Sequence, residues 1–143
     1  MREWQSQAHV KRYCRYPILI VPKYRRKSMF GAIRRDVGKI LKELCRRFEI
    51  EVVEGHVMPA HVHMGLGIPP KYSVANAIGK LKGKSAILIH PKYGRKRNVM
   101  GFQFWSRGYC VSTVGLDEVM IRNYIRNQEQ HEIQTEQMTL EFK

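Results

Sequence analysis

The stretch EIEVVEGHVMPAHVHMGLGIPPK (residues 49–71) decides how this chain folds. Its first part, EIEVVEGHVM (49–58), is rich in Val and Ile and reads as a strand. HVHMGLGI (61–68) reads as the next one. Pro59 and Ala60 leave room only for a short turn, so the two strands pair as a hairpin. IPPKYS then breaks the chain. Side chains alternate faces along a strand. Val62, Met64, Leu66 and Ile68 therefore point into the core, and His61, His63, Gly65 and Gly67 point the other way. Two imidazoles two positions apart on one strand can reach one metal ion. The glycines beyond them leave space for a ligand backbone to come close. The plain alternative is a pair of exposed histidines without a role.

Before the hairpin, YPILIVP (16–22) reads as a buried first strand, with Pro17 implying an edge or a strand start. The basic loop KYRRK (23–27) follows. Phe30, Ile33, Val37, Ile40, Leu41, Leu44, Cys45 and Phe48 recur at helical spacing, with Arg34, Arg35, Lys42 and Arg46 off the apolar stripe. After the hairpin, Ser73 caps a second helix to about His90, with Val74, Ala77, Ile78, Leu81 and Leu88 inward. HPKYGRKRN (90–98) reads as a basic loop. FQFW and GYCV give a broken fourth strand between Gln103 and Val111. A last helix runs from about Leu116 to Gln130, with Asp117 and Glu118 well placed at its N-terminus. Residues 131–143 read as a loose polar tail. The order β-α-β-β-α-β plus a helix predicts one α+β domain over 1–143. It is a ferredoxin-like or RRM-like antiparallel sheet with helices on one face and a further helix at the C-terminus.

Twenty-six Lys and Arg against 12 Asp and Glu give a net charge of +14. A field of that sign favours polyanions, nucleic acid before anionic membrane. Residues 1–48 carry +11 and residues 71–110 carry +9, and the two blocks flank the histidine stretch. Cys14, Cys45 and Cys110 lie far apart with no CxxC, which argues against a disulfide framework or structural zinc. No signal peptide or membrane span is seen, so a cytoplasmic protein is expected. GKLKGKS (79–85) imitates a phosphate-binding P-loop, but only three residues separate its first Gly from the Gly-Lys pair, and it lies inside a helix.

NYIRNQEQ (123–130) puts Tyr124 and Gln128 four apart on one helix face. A tyrosine can act as a nucleophile and a glutamine carbonyl as a metal ligand; taken alone, a packed Tyr124 and a solvated Gln128 explain the spacing as well. With these residues the sequence resembles the small HUH single-tyrosine transposases (TnpA type) of insertion sequences that move as single-stranded DNA. The matching blocks are VPKYRRK, EVVEGHVMPAHVHMGLGIPPK, LKGKSA, FWSRGY, VSTVG and YIRNQ, in family order from about residue 15 to 130. The HUH motif falls on His61-Val62-His63, the catalytic tyrosine on Tyr124 and the partner glutamine on Gln128. The chain departs from the family at Ala60, usually acidic, which removes an outer partner of the metal ligands, and at Pro17, often histidine.

The resemblance implies DNA recombination without hydrolysis or ATP. His61, His63 and Gln128 hold a divalent ion, Mg²⁺ or Mn²⁺. Tyr124 attacks the scissile phosphate and keeps the 5′ phosphate as a phosphotyrosine intermediate. Transposition proceeds from single-stranded DNA with hairpin ends. The family's homodimer implies shared sites, His61 and His63 from one chain, Tyr124 and Gln128 from the other. The basic clusters suit that substrate: Lys23, Arg25, Arg26 and Lys27 around Tyr24; Lys80, Lys82 and Lys84; and Lys92, Arg95, Lys96 and Arg97. A solvated basic face is the plain alternative. Two rival functions remain from the residues: a domesticated hairpin-processing relative, and a non-catalytic nucleic-acid-binding module.

Overall fold

The structure of the protein, a computed structural model, describes residues 14–23, 29–97, 104–111 and 117–141. Among these the elements run β1 (Cys14–Ile20), α1 (Gly31–Arg47), β2 (Glu51–Val57), β3 (Val62–Ile68), α2 (Val74–Arg97), β4 (Cys110–Val111) and α3 (Glu118–Glu141). The strands form a four-stranded antiparallel sheet ordered β2-β3-β1-β4. This is the α+β architecture expected from the element order.

The hairpin forms as read. Met58 donates its N–H to His61 O at 2.8 Å across the Pro59-Ala60 turn. Val62, Met64, Leu66 and Ile68 are buried with Ile18 and Ile20 of β1. Ile33, Val37, Leu41, Leu44 and Cys45 of α1, and Ala77, Ile78 and Leu81 of α2, close that face. The opposite face carries a row fixed by strand register: His56 pairs with His63, His63 with Leu19, and Leu19 with Cys110. Leu19 is fully buried, so this face is covered at its centre.

Several boundaries differ from the expectation. Pro17 lies in an inner strand, not at an edge; among the described residues β4 pairs with Ile18 and Leu19, and β3 pairs with Pro17 through Gly65. The core stripe of α2 advances in steps of four through Ala77, Leu81, Ser85 and Ile89, all buried, and drifts away from Leu88, which is 48% exposed. The helix also passes Pro91 and ends at Arg97. Positions 95–97 therefore belong to the end of a helix and not to a loop. The fourth strand is broken as read. Trp105 bridges to Pro22, Phe104 O accepts from Lys23 N–H at 2.9 Å, and among the described residues of this stretch Cys110 and Val111 pair with β1. Residue 103 lies outside the described residues. Helix α3 continues to Glu141 where a loose tail was expected, since 131–141 contains no Gly or Pro and Glu132 is buried against the fold. No helix among the described residues is long and apolar enough to cross a membrane.

Candidate active site

Strand alternation delivers both histidines to the face opposite the core. His61 is half-buried; burial, reinforced by the field of His63, holds its imidazole below the usual histidine range. It is therefore neutral at pH 7, with a lone pair to offer. The Nε2 of His63 is buried and has no hydrogen-bond partner among the described residues. Across the strand pair the His56 and His63 rings lie 6.2 Å apart. His56 Nε2 is 3.7 Å from Glu54 Oε2. Among the described residues no three His, Cys, Asp or Glu side chains gather so as to hold a metal ion.

The space beside Gly65 is not open as the alternation suggested. A Cβ there would lie 3.2 Å from Glu54 Cγ. The register of β2 shifts between Val52 and Glu54, and this irregularity sets Glu54 opposite Gly65. The glycine thus receives a neighbouring side chain.

The second pair of site residues stands on α3. Asp117 Oδ1 accepts the Met120 N–H at 2.9 Å and caps the helix. One and two turns on, Gln128 Nε2 donates to the Tyr124 hydroxyl at 2.9 Å and to Arg107 O at 3.0 Å. Both amide hydrogens are used, which leaves the Gln128 carbonyl oxygen for another partner. Burial raises the Tyr124 phenol above its ordinary value; the Gln128 hydrogen bond opposes this, and Cys110 and Glu132 add to it. The phenol is therefore protonated at neutral pH. Cys110 ends the row that begins at His56. It stands two strands from His63, about 10 Å by strand spacing, with Leu19 between. The structure thus joins Tyr124 to Gln128, and His61 to His63, as two local pairs.

The expected basic contacts divide. Tyr24, Arg25, Arg26 and Lys27 lie outside the described residues, and Lys23 is described at the end of the first strand segment. Lys80 Nζ sits 5.0 Å over the Tyr72 ring and 5.5 Å over Phe48. Lys82 Nζ donates to Ser106 O at 2.6 Å and Gly108 O at 2.8 Å, and burial pulls its ammonium down to about 8. Lys84 is exposed. Sequence reading left out a groove of about 570 Å³ between α1 and β2, lined by Arg34, Arg35, Lys39, Lys42 and His56 among others. Its signal was present: Arg35, Lys39 and Lys42 fall at i, i+4 and i+7, on one helix face. Ser106 and Glu132, which hydrogen-bond in the interior beside Tyr124, had no comparable signal.

The profile of the family described as transposase IS200 like matches residues 10–128, a span that includes both histidines, Tyr124 and Gln128. The chain belongs to the IS200-like transposase family. This transposase is 38% identical to the transposase for insertion sequence element IS200 of Salmonella typhimurium, over 99% of this chain and 94% of that one. It is 29% identical to the ISDra2 transposase TnpA of Deinococcus radiodurans, over 82% and 85%. A crystal structure of a transposase from Deinococcus radiodurans superposes with a TM-score of 0.70 at 28% identity, covering 81% of this chain and 91% of that one. The sheet and helices around the two pairs are thus those of a DNA-processing enzyme.

Proposed function

We propose that this transposase cleaves and rejoins single-stranded DNA at hairpin-marked element ends, with Tyr124 as nucleophile and a 5′-phosphotyrosine intermediate. The observation that carries the reading is the Nε2 of His63. A buried polar nitrogen without a partner is costly unless a ligand takes its lone pair. Neutral His61 beside it and the unclaimed carbonyl oxygen of Gln128 are donors of the same kind. His61, His63 and Gln128 would hold a divalent ion, Mg²⁺ or Mn²⁺, which when bound supplies Lewis-acid polarisation of the scissile phosphate.

The remaining chemistry belongs to the side chains. Tyr124 gives up its proton and its oxygen forms a bond to phosphorus. The bond from phosphorus to the 3′ oxygen breaks, and that oxygen leaves as a hydroxyl after taking a proton. The 5′ phosphate stays on Tyr124 as an ester that conserves the broken bond, so an incoming 3′ hydroxyl reverses the step without ATP. The hydrogen bond from Gln128 favours the phenolate against the opposing effect of burial.

Two copies share each site in this reading, with His61 and His63 from one protomer and Tyr124 and Gln128 from its partner. The sheet supports pairing of copies. Within the described residues β2 and β4 each pair along one side only, and Val52 and Val53 of β2 are exposed. For the DNA, the reading uses Lys23, Tyr24, Arg25, Arg26, Lys27, Lys80, Lys84, Arg95, Lys96 and Arg97, and adds the groove cations Arg34, Arg35, Lys39 and Lys42.

The test is a denaturing gel after incubation with a hairpin-bearing single strand and Mg²⁺ or Mn²⁺. A covalent protein–DNA band is expected in the wild type. It is absent in Tyr124→Phe and reduced on the order of 10²-fold or more in His61→Ala and His63→Ala. Retarded migration on a native gel with no covalent band in the wild type would favour a binding module instead.

A further inference from the structure

All three backbone carbonyls of the 106–108 turn are held by side chains. Lys82 takes Ser106 O and Gly108 O, and Gln128 takes Arg107 O. The turn is also fastened to the end of the first strand, where Ser106 donates its N–H to Val21 O at 2.8 Å, and to α3, where the Ser106 hydroxyl meets the buried Glu132 carboxyl group. Gly108 is in the left-handed region at φ 75°, and a Cβ there would lie 4.0 Å from both the Tyr124 hydroxyl and the Gln128 amide nitrogen. The nucleophile and its partner thus rest on this turn, and Lys82 ties the turn to α2. Trp105 strengthens the same joint by donating to Ser85 Oγ at 2.9 Å.

A lysine employed only to meet phosphate stands in solvent, as Lys84 does. Among the described residues the hydrogen-bond partners of Lys82 are two carbonyl dipoles, with no carboxylate against it. Partial burial of an ammonium on such terms is unfavourable unless the position it fixes matters.

We propose that Lys82 is a positioning residue, which holds the 106–108 turn and, through it, sets Tyr124 and Gln128 for attack. It acts on the backbone and not on DNA. This rests on the transposase chemistry proposed above, and it takes Lys82 out of the DNA-contacting set.

The experiment uses the full chain, a hairpin-bearing single strand and Mn²⁺. It measures DNA affinity across several salt concentrations, the single-turnover rate of adduct formation at saturating DNA, and hydrogen exchange of the amides in 104–111. Lys82→Met is expected to keep the affinity and salt slope of the wild type. Its rate should fall on the order of 10²-fold, as for a displaced reactive group, and its 104–111 amides should exchange faster. Lys82→Arg, which keeps several charged donors, should recover most of the rate and the protection. Should Lys82→Met not fold, Lys82→Gln replaces it with the same readouts. An affinity loss with a salt slope lower by about one, at unchanged saturated rate, overturns the proposal and makes Lys82 a phosphate contact. A variant that binds, reacts and exchanges like the wild type overturns it as well. Absence of any adduct in the wild type sinks the underlying chemistry instead, and exchange then decides alone whether Lys82 holds the turn.

Discussion

Tyr124 keeps its proton in the resting protein because burial disfavours the phenolate, and Cys110 and Glu132 disfavour it further. In the metal-free, DNA-free chain, the phenolate absorbance missing from Tyr124→Phe should therefore titrate above pH 10. A group whose folded pKa is raised stabilises the fold below its unfolded value, and this contribution disappears as pH climbs through the folded one. Tyr124→Phe should accordingly flatten part of the alkaline loss of stability, read as Tm between pH 9 and 11. Gln128→Leu removes the one hydrogen bond that lowers the value, so it should move the Tyr124 titration higher still. Strand alternation and four-residue helical spacing made it legible that His61 shares a face with His63 and Tyr124 with Gln128, while the roles expected of them came from the family resemblance. The contacts of Lys82 were not, because they reach backbone carbonyls 24 and 26 residues away, which leave no mark in a sequence.

At the scale of elements, the hairpin and the ends of the helices follow from local chemistry. Ser73 Oγ accepts the Asn76 N–H at 3.0 Å as the cap pattern required, and Asp117 does the same for α3. The inner face of α2 was misjudged at one residue, since both Leu81 and Leu88 fit an apolar spacing and only packing chooses between them. Urea unfolding should show the difference. Leu81→Ala, at a fully buried position, should cost about 2–5 kcal/mol. Leu88→Ala, half in water, should stay within about 0.5 kcal/mol. The neighbour of Gly65 was illegible for another reason. The shift in β2 register that brings Glu54 there depends on how two strands meet, and neither strand records it alone.

For the whole molecule, the charge asymmetry becomes geometry: cations of α1 line a groove against β2. Arg35→Glu with Lys39→Glu should weaken binding to single-stranded DNA and lower the slope of log affinity against log salt by about 1–2. Fluorescence anisotropy at several ionic strengths measures this, and an unchanged slope removes the groove from the DNA path. The α+β topology was legible because the order and period of apolar runs leave few ways to cover one sheet. The long contacts that close the interior were not, since the Ser106–Glu132 pair joins residues 26 apart and leaves no pattern in the chain. The alternation of β3 has a last consequence. His61 and His63 share their strand with Val62 and Met64, which are buried in the core. A slip of one residue in the pairing of β3 would drive the imidazoles inward and those apolar groups into water. A chain with a misplaced motif is therefore also an unstable one, which cellular proteolysis would remove before it met a substrate.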